Sequence, residues 1–303
     1  MLQRLELSNY RGFSEHGFAL RSKTVIVGHN NAGKSTVVEA LRVLAIVTAR
    51  LNRLNFNPPP DWTELPLIYA GVSPSVDGLG IQFQTISNQY SGEPAQVKAT
   101  FTSGETIQLL LSDEGRIFAV LRDAAGELIR SKSAALKANF PTIQVLPQIT
   151  PLDLAEKVLR EDYVRRSISS PLASKHFRNQ LKTDPGGYRR FRSLAEETWQ
   201  GIRIDELVGA RAPYGRDLRL MVRDRDFVAE VGLMGHGLQM WLQTMWFLCR
   251  SADAPTVVLD EPDVYMHPDL QRRLIRLVRG MFPQIIIATH SVKSSRTWIL
   301  LKS

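Results

Sequence analysis

The sequence predicts an α/β fold arranged around one phosphate-binding loop, and three observations predict it. Gly28-His29-Asn30-Asn31-Ala32-Gly33-Lys34-Ser35-Thr36 fits the pattern G-x-x-x-x-G-K-[ST] at every fixed position. The loop lies between a β-branched run, Lys23–Val27, and an apolar-faced helical run over 36–48. Far downstream, two more uninterrupted apolar runs end in polar groups: 256–259 leads into Asp260-Glu261-Pro262, and Gln284–Thr289 into His290-Ser291. Continuous apolar strands are those of a parallel sheet buried on both faces.

Each element has a chemical reason to be where it is. Glycines let the loop turn tightly and bring the backbone N–H groups of Asn30, Asn31, Ala32, Gly33 and Thr36 onto phosphate oxygens. The start of the following helix adds its dipole to that anion site. Lys34 reaches the outer phosphates, and the Ser35 hydroxyl can ligate Mg²⁺. Ligands of parallel sheets bind at the C-terminal strand ends, where Asp260 and Glu261 stand. An aspartate there can hold the metal shell, and the glutamate beside it can polarise an attacking water. His290 ends its own strand at the same edge.

Composition bounds the rest. The 303 residues are 44% hydrophobic, enough for a sizeable core. The single cysteine, Cys249, excludes an intramolecular disulfide and a cysteine metal cluster, and a reducing cytoplasm is the simple expectation. No apolar run reaches the ~18 residues of a membrane span, and the start has no signal-peptide profile. The net charge of +8, 38 basic against 30 acidic residues, is compatible with a polyanion partner.

In chain order, residues 2–7 alternate as a half-buried strand, and 18–20 reads as a returning one, so that Arg11 lies near the nucleotide or is a solvated loop arginine. Short alternating runs at 80–85, 96–101, 106–111 and 116–121 predict an antiparallel meander. Residues 152–199 read as mostly helical, broken at Pro185-Gly186-Gly187, and rich in Lys175, Arg178, Lys182, Arg189, Arg190 and Arg192. With Phe177, Tyr188 and Phe191 interleaved, these basic residues suit a nucleic-acid backbone, or else form a solvated helical face. Residues 217–222 and 227–231 predict a hairpin. Gly232-Leu233-Met234-Gly235-His236-Gly237-Leu238-Gln239-Met240 is a second glycine-rich turn opening a helix.

Together these motifs resemble the ABC-type ATPase head, a P-loop NTPase. Phosphate loop, glycine-rich signature, D-E-P after a strand and a strand ending in A-T-H-S occur here in that family's order. The opening N-Y-R-G-F, D-E-P-D-V-Y-M-H-P and G-H-G-L-Q look like its OLD, RecF and SMC-related branch. The resemblance implies a single head with a mixed central sheet, an antiparallel β side-sheet and a helical insert: a lobe over 1–150, the insert and hairpin over 151–230, and the signature, Walker B and switch histidine over 231–303. It implies ATP and Mg²⁺ as cofactors. Gly28 to Thr36 and Arg11 would bind the nucleotide, with Lys34, Glu261 and His290 as catalytic residues. Ser35 and Asp260 would hold the metal, with Gln148, or alternatively Gln144, as linker glutamine. Gly235, Gly237 and Gln239 would touch the ATP of a second protomer, and Asp263 would open the inter-subunit loop.

The chain departs from the family pattern at Met234-Gly235-His236-Gly237, which lacks the usual serine, and only 292–303 follow the switch histidine where many OLD proteins carry a Toprim nuclease. A truncated head, a frameshifted product or half of a two-gene system is the expectation. The implied function is ATP binding and hydrolysis that switch a homodimer or higher oligomer of heads, coupled to DNA or to a partner nuclease, with no membrane. Phage defence or DNA repair follows from family association alone. A non-hydrolysing, nucleotide-sensing scaffold for a nuclease is the alternative.

Overall fold

The computed structural model describes residues 1–76, 80–168, 171–211, 213–262 and 266–290. The chain divides into two compact units.

The first unit, 1–145 with 254–261 and the segment from 282, carries the two sheets that frame the phosphate loop. One is antiparallel, in the order Phe13–Ala19, Leu2–Tyr10, Ala95–Phe101, Thr106–Leu111, Ile117–Arg122, Gly71–Val72, Phe56–Asn57, with Leu128–Ile129 added beside Ile117–Arg122. The other is parallel throughout, in the order Ile143–Val145, Thr256–Asp260, Gln284–Thr289, Lys23–Val27. The mixture of strand directions expected of the fold is therefore shared out between two sheets. Runs such as Val257, Val258 and Leu259 are wholly buried, which is why they carry no alternation.

The helix Lys34–Arg50 buries Val37, Val38, Leu41, Val43, Leu44 and Val47, a broad apolar face that takes up more than half of its circumference. So broad an apolar face needs cover from more than one element, and here residues of both sheets join it in one core. Its N-terminus, and the loop that leads to it, are thus held by that core. Gln284 fastens the two sheets together. Its buried carboxamide oxygen accepts from the Leu2 N–H and the Thr256 hydroxyl, both at 2.8 Å, and its nitrogen donates to Leu2 O at 2.6 Å and Arg21 O at 3.0 Å.

The first two strands run further than the alternation indicated, and residues 80–85 do not form a strand. A 3₁₀ turn, Phe83–Thr85, stands there instead.

The second unit, 146–253 with 262–281, packs the helices Glu161–Ser167, Phe177–Thr183, Pro185–Thr198, His236–Arg250 and Pro268–Met281 with a small antiparallel sheet. That sheet orders Glu156–Lys157, Asp217–Asp224 and Ile202–Val208, and Phe227–Glu230 closes the expected hairpin on Asp217–Asp224. The stretch expected to be helical from residue 152 instead begins with the short strand Glu156–Lys157. The helix break falls at Asp184, whose carboxylate caps the next helix by accepting the Gly187 N–H at 2.8 Å. Pro185 occupies the first turn, where a missing N–H costs no intrahelical bond. Phe177, Phe191 and Trp246 meet edge to face at 5.9 and 6.0 Å in this unit's core.

Candidate nucleotide site

Parallel register assembles the site. Thr289 stands opposite Val27 and Asp260 opposite Ala288, so that the residues leaving these strands — Gly28, Glu261 and His290 — emerge along one sheet edge. The Glu261 N–H donates to Ala288 O at 2.8 Å, which anchors the residue just past its strand. Glu261 has φ of 46°, a left-handed conformation that non-glycine residues adopt at a cost and that clusters at functional sites. Its carboxylate contacts His290 Nε2.

The phosphate loop closes as the sequence requires. Gly33 has φ of 86°, and a Cβ there would meet the Phe13 ring at 2.7 Å, so the position excludes other residues twice over. The Lys34 side chain is 4% exposed and its ammonium donates to Gly28 O at 2.7 Å and His29 O at 2.8 Å. Ser35 lies exposed at the first turn of the helix. Asn31, Ala32, Gly33, Lys34, Ser35 and Thr36 line a cavity of about 650 Å³, which His290 and Arg11 also line. Gly28 and Asn30 belong to the same loop.

Electrostatics fit a cation at the acidic edge. Burial pushes the Asp260 carboxyl above the usual carboxylate range; Arg42 opposes this, Glu261 adds to it, and His290 and Lys34 oppose it more weakly. A buried carboxylate beside a second one is a group that a metal ion would relieve. Among the described residues no three His, Cys, Asp or Glu side chains gather into a protein-only cage. The Ser35 hydroxyl and the Asp260 carboxylate are donors of the kind that hold an Mg²⁺ completed by phosphates and water.

Arg11 reaches the cavity with its charge already spent. Its guanidinium pairs with the Glu39 carboxylate at 3.0 and 2.9 Å and contacts Thr85, and Tyr10 donates to the same glutamate at 2.9 Å. Arg11 is neither a solvated loop residue nor an unopposed phosphate clamp. Local reading missed Glu39 and Arg42. Helical spacing could have found them, since 35, 39 and 42 fall on one face of a helix.

Gly235, Gly237, Gln239 and Gln148 belong to the second unit. Gly235 caps the helix His236–Arg250, with Gly237 in its first turn. Gln239 is 1% exposed, accepts the Leu152 N–H at 2.7 Å, and donates to Gly232 O at 3.1 Å and Met234 O at 2.7 Å. Its carboxamide is engaged on both its donor and acceptor sides in shaping the turn. Gln148 is exposed after the strand that carries Gln144. Asp263 and residues 292–303 lie outside the described residues.

The basic insert is corrected in part. Arg178 is 1% exposed and pairs with Glu230 at 2.8 Å and with Glu156 at 3.6 Å. Phe177 and Phe191 are core residues. None of the three is available to nucleic acid. Arg189, Arg190 and Arg192 are exposed, and Arg192 pairs with Glu196 at 3.3 Å.

A phosphate loop, an acidic pair and a histidine on adjoining ends of parallel strands, with an antiparallel side-sheet over the loop helix, define an ABC-type ATPase head. The chain belongs to the family described as "AAA domain, putative AbiEii toxin, Type IV TA system", whose model matches residues 23–294. It is similar to an OLD nuclease of Thermus scotoductus, 24% identical over 319 aligned positions, which cover 96% of this chain and 59% of that protein. The chain thus spans about three-fifths of the length of this curated relative. In fold it is similar to an SMC head bound to the C-winged helix domain of ScpA (TM-score 0.59, 14% identity, 98% of this chain and 92% of that one). A Pyrococcus furiosus Smc head with an extended coiled coil, bound to the C-terminal domain of ScpA, gives a TM-score of 0.56 at 13% identity, covering 98% of this chain and 91% of that one. The chain is therefore an ATPase head of the OLD and SMC-related branch. No described helix is long and apolar enough to cross a membrane.

Proposed function

We propose that this head binds ATP with Mg²⁺, pairs with a second head through the bound nucleotide, and uses hydrolysis to separate the pair. The observation that carries the reading is the cavity that Lys34, Ser35 and His290 line together, with Glu261 held against His290 and Asp260 beside it on the same sheet edge.

The roles follow from the chemistry. Lys34 exchanges its two carbonyl acceptors for the β- and γ-phosphate oxygens, which are stronger acceptors because they are charged. Ser35 and Asp260 hold the metal, with Gln148 or Gln144 as the further donor, and the metal supplies neutralisation of phosphate charge. Glu261 takes the proton of the attacking water, and the His290 imidazole orients that carboxylate. Gly235 and Gly237 offer the helix N-terminus of one head to the γ-phosphate held by the other. Gln239 supports them from behind.

The energy of this cycle is coupled to DNA or to an effector nuclease, as in phage defence or DNA repair, within the cytoplasm. What supports a nuclease is the name of the curated relative. What supports DNA is the basic balance of the chain and the exposed Arg189 and Arg190. A non-hydrolysing scaffold is the second reading, favoured by the missing signature serine. Steady-state phosphate release, with and without duplex DNA, tests the proposal. Turnover dependent on Mg²⁺ and altered by DNA supports it. Nucleotide binding without turnover establishes the scaffold instead.

A further inference from the structure

We propose that Tyr90 is the base-stacking residue of the nucleotide site, so that the segment around it recognises the flat, neutral end of the ligand while the phosphate loop holds the charged end. This rests on the reading of Gly28 to Thr36 as a phosphate cradle.

Tyr90 is 77% exposed, yet it lines the same cavity as Gly33, Lys34 and Ser35. An aromatic ring left this far in water contributes almost nothing to the core, whereas ring faces are good partners for bases. Its backbone is also strained. Gln89 has φ of 49° and Tyr90 φ of 54°, two successive non-glycine residues in the left-handed region. For a bulky side chain this is an outlier that persists only where its surroundings enforce it.

The enforcement is visible. Asn9 Oδ1 accepts the Asn88 N–H at 3.0 Å and the Ser91 hydroxyl at 3.1 Å, while Asn9 Nδ2 donates to Glu93 O at 2.9 Å. Asn88 Nδ2 donates to Arg11 O at 2.6 Å, the Arg11 N–H to Ile86 O at 2.7 Å, and the Ser87 hydroxyl to Glu93 O at 2.8 Å. The hook that bears Tyr90 is thereby stapled at both ends to the Asn9–Arg11 turn. Such a hook presents a ring without paying ordering entropy at the moment of binding.

The chemistry of this wall selects the ligand class. Thr85, Ser87, Gln89 and Tyr90 are uncharged, and Arg11 is neutralised by Glu39. Phosphate oxygens have no reason to bind there. A nucleobase, flat and neutral with hydrogen-bonding edges that the exposed Gln89 carboxamide can meet, does.

Calorimetric titration of the full chain with Mg·ATP and with inorganic tripolyphosphate tests this. Wild type should bind ATP more tightly than tripolyphosphate. Tyr90→Ala should lower ATP affinity about tenfold, the effect of losing one base–aromatic stack, and leave tripolyphosphate affinity unchanged. Tyr90→Phe, which keeps the ring, should bind ATP like wild type. Unchanged ATP affinity in Tyr90→Ala, or equal losses for the two ligands, overturns the proposal. Lys34→Ala separates this failure from that of the site: it should weaken both ligands. If it weakens neither, the phosphate cradle is wrong and the stacking role falls with it.

Discussion

The molecule contains two glycine-rich turns that open helices, and they are built alike up to one side chain. In each, a residue from the first turns of the helix folds back onto carbonyls of the turn that precedes it. At Gly28–Thr36 that residue is Lys34, buried, with Gly28 O and His29 O as acceptors. At 232–240 it is Gln239, also buried, with Gly232 O, Met234 O and the Leu152 N–H. A buried ammonium held by neutral carbonyls is poised to take a better, charged acceptor. A neutral carboxamide with its donor and acceptor sides both satisfied has nothing to gain from a ligand. The first turn is a binding device, the second a shaped support whose exposed Gly235 and half-buried Gly237 backbone is what can be offered.

The largest effect expected from this contrast lies at the edge that faces the first turn. Glu261→Gln keeps size and shape but removes the base, and phosphate release should fall by about 10²–10⁴-fold while ATP binding persists. Wild-type turnover in this variant would remove Glu261 from the chemistry. Next comes Arg178→Ala in the second unit. Glu230 and Glu156 would be left buried without their cation, and a denaturant titration should show a loss of about 3–5 kcal/mol. A change within experimental error would show that the pair is solvated and would reopen Arg178 as a nucleic-acid contact. Gln239→Ala is the smallest change. It strands the Leu152 N–H and should lower stability by about 1–3 kcal/mol while leaving ATP affinity of the isolated head as in wild type. Lost affinity without lost stability would restore Gln239 as a nucleotide contact.

How much of this was legible in the sequence depends on how local the cause is. The phosphate loop needs glycine, lysine and hydroxyl at fixed spacing, so the chemistry is written in consecutive residues. Asp260, Glu261 and His290 were legible because an uninterrupted apolar run marks a buried parallel strand, and its polar end marks the binding edge. Arg178 was not, because its partner Glu230 lies 52 positions away and a helical run of basic and aromatic residues reads the same whether it faces water or a buried carboxylate. The segment around Tyr90 was misread at its start, since the alternation over 80–85 fits a strand while bonds from Asn9 and Arg11 hold the chain in a hook. Gln284 gave no local sign that it joins two sheets. Long-range polar contacts of this kind leave no period to count.

The proposed nucleotide site stands or falls on the buried lysine of the first turn. Calorimetric titration of Mg·ATP into wild type and Lys34→Ala tests it directly. The account predicts binding by wild type and an affinity about 10–100-fold lower in the variant, the worth of a charge-assisted hydrogen bond. Equal affinity in the two proteins would contradict it.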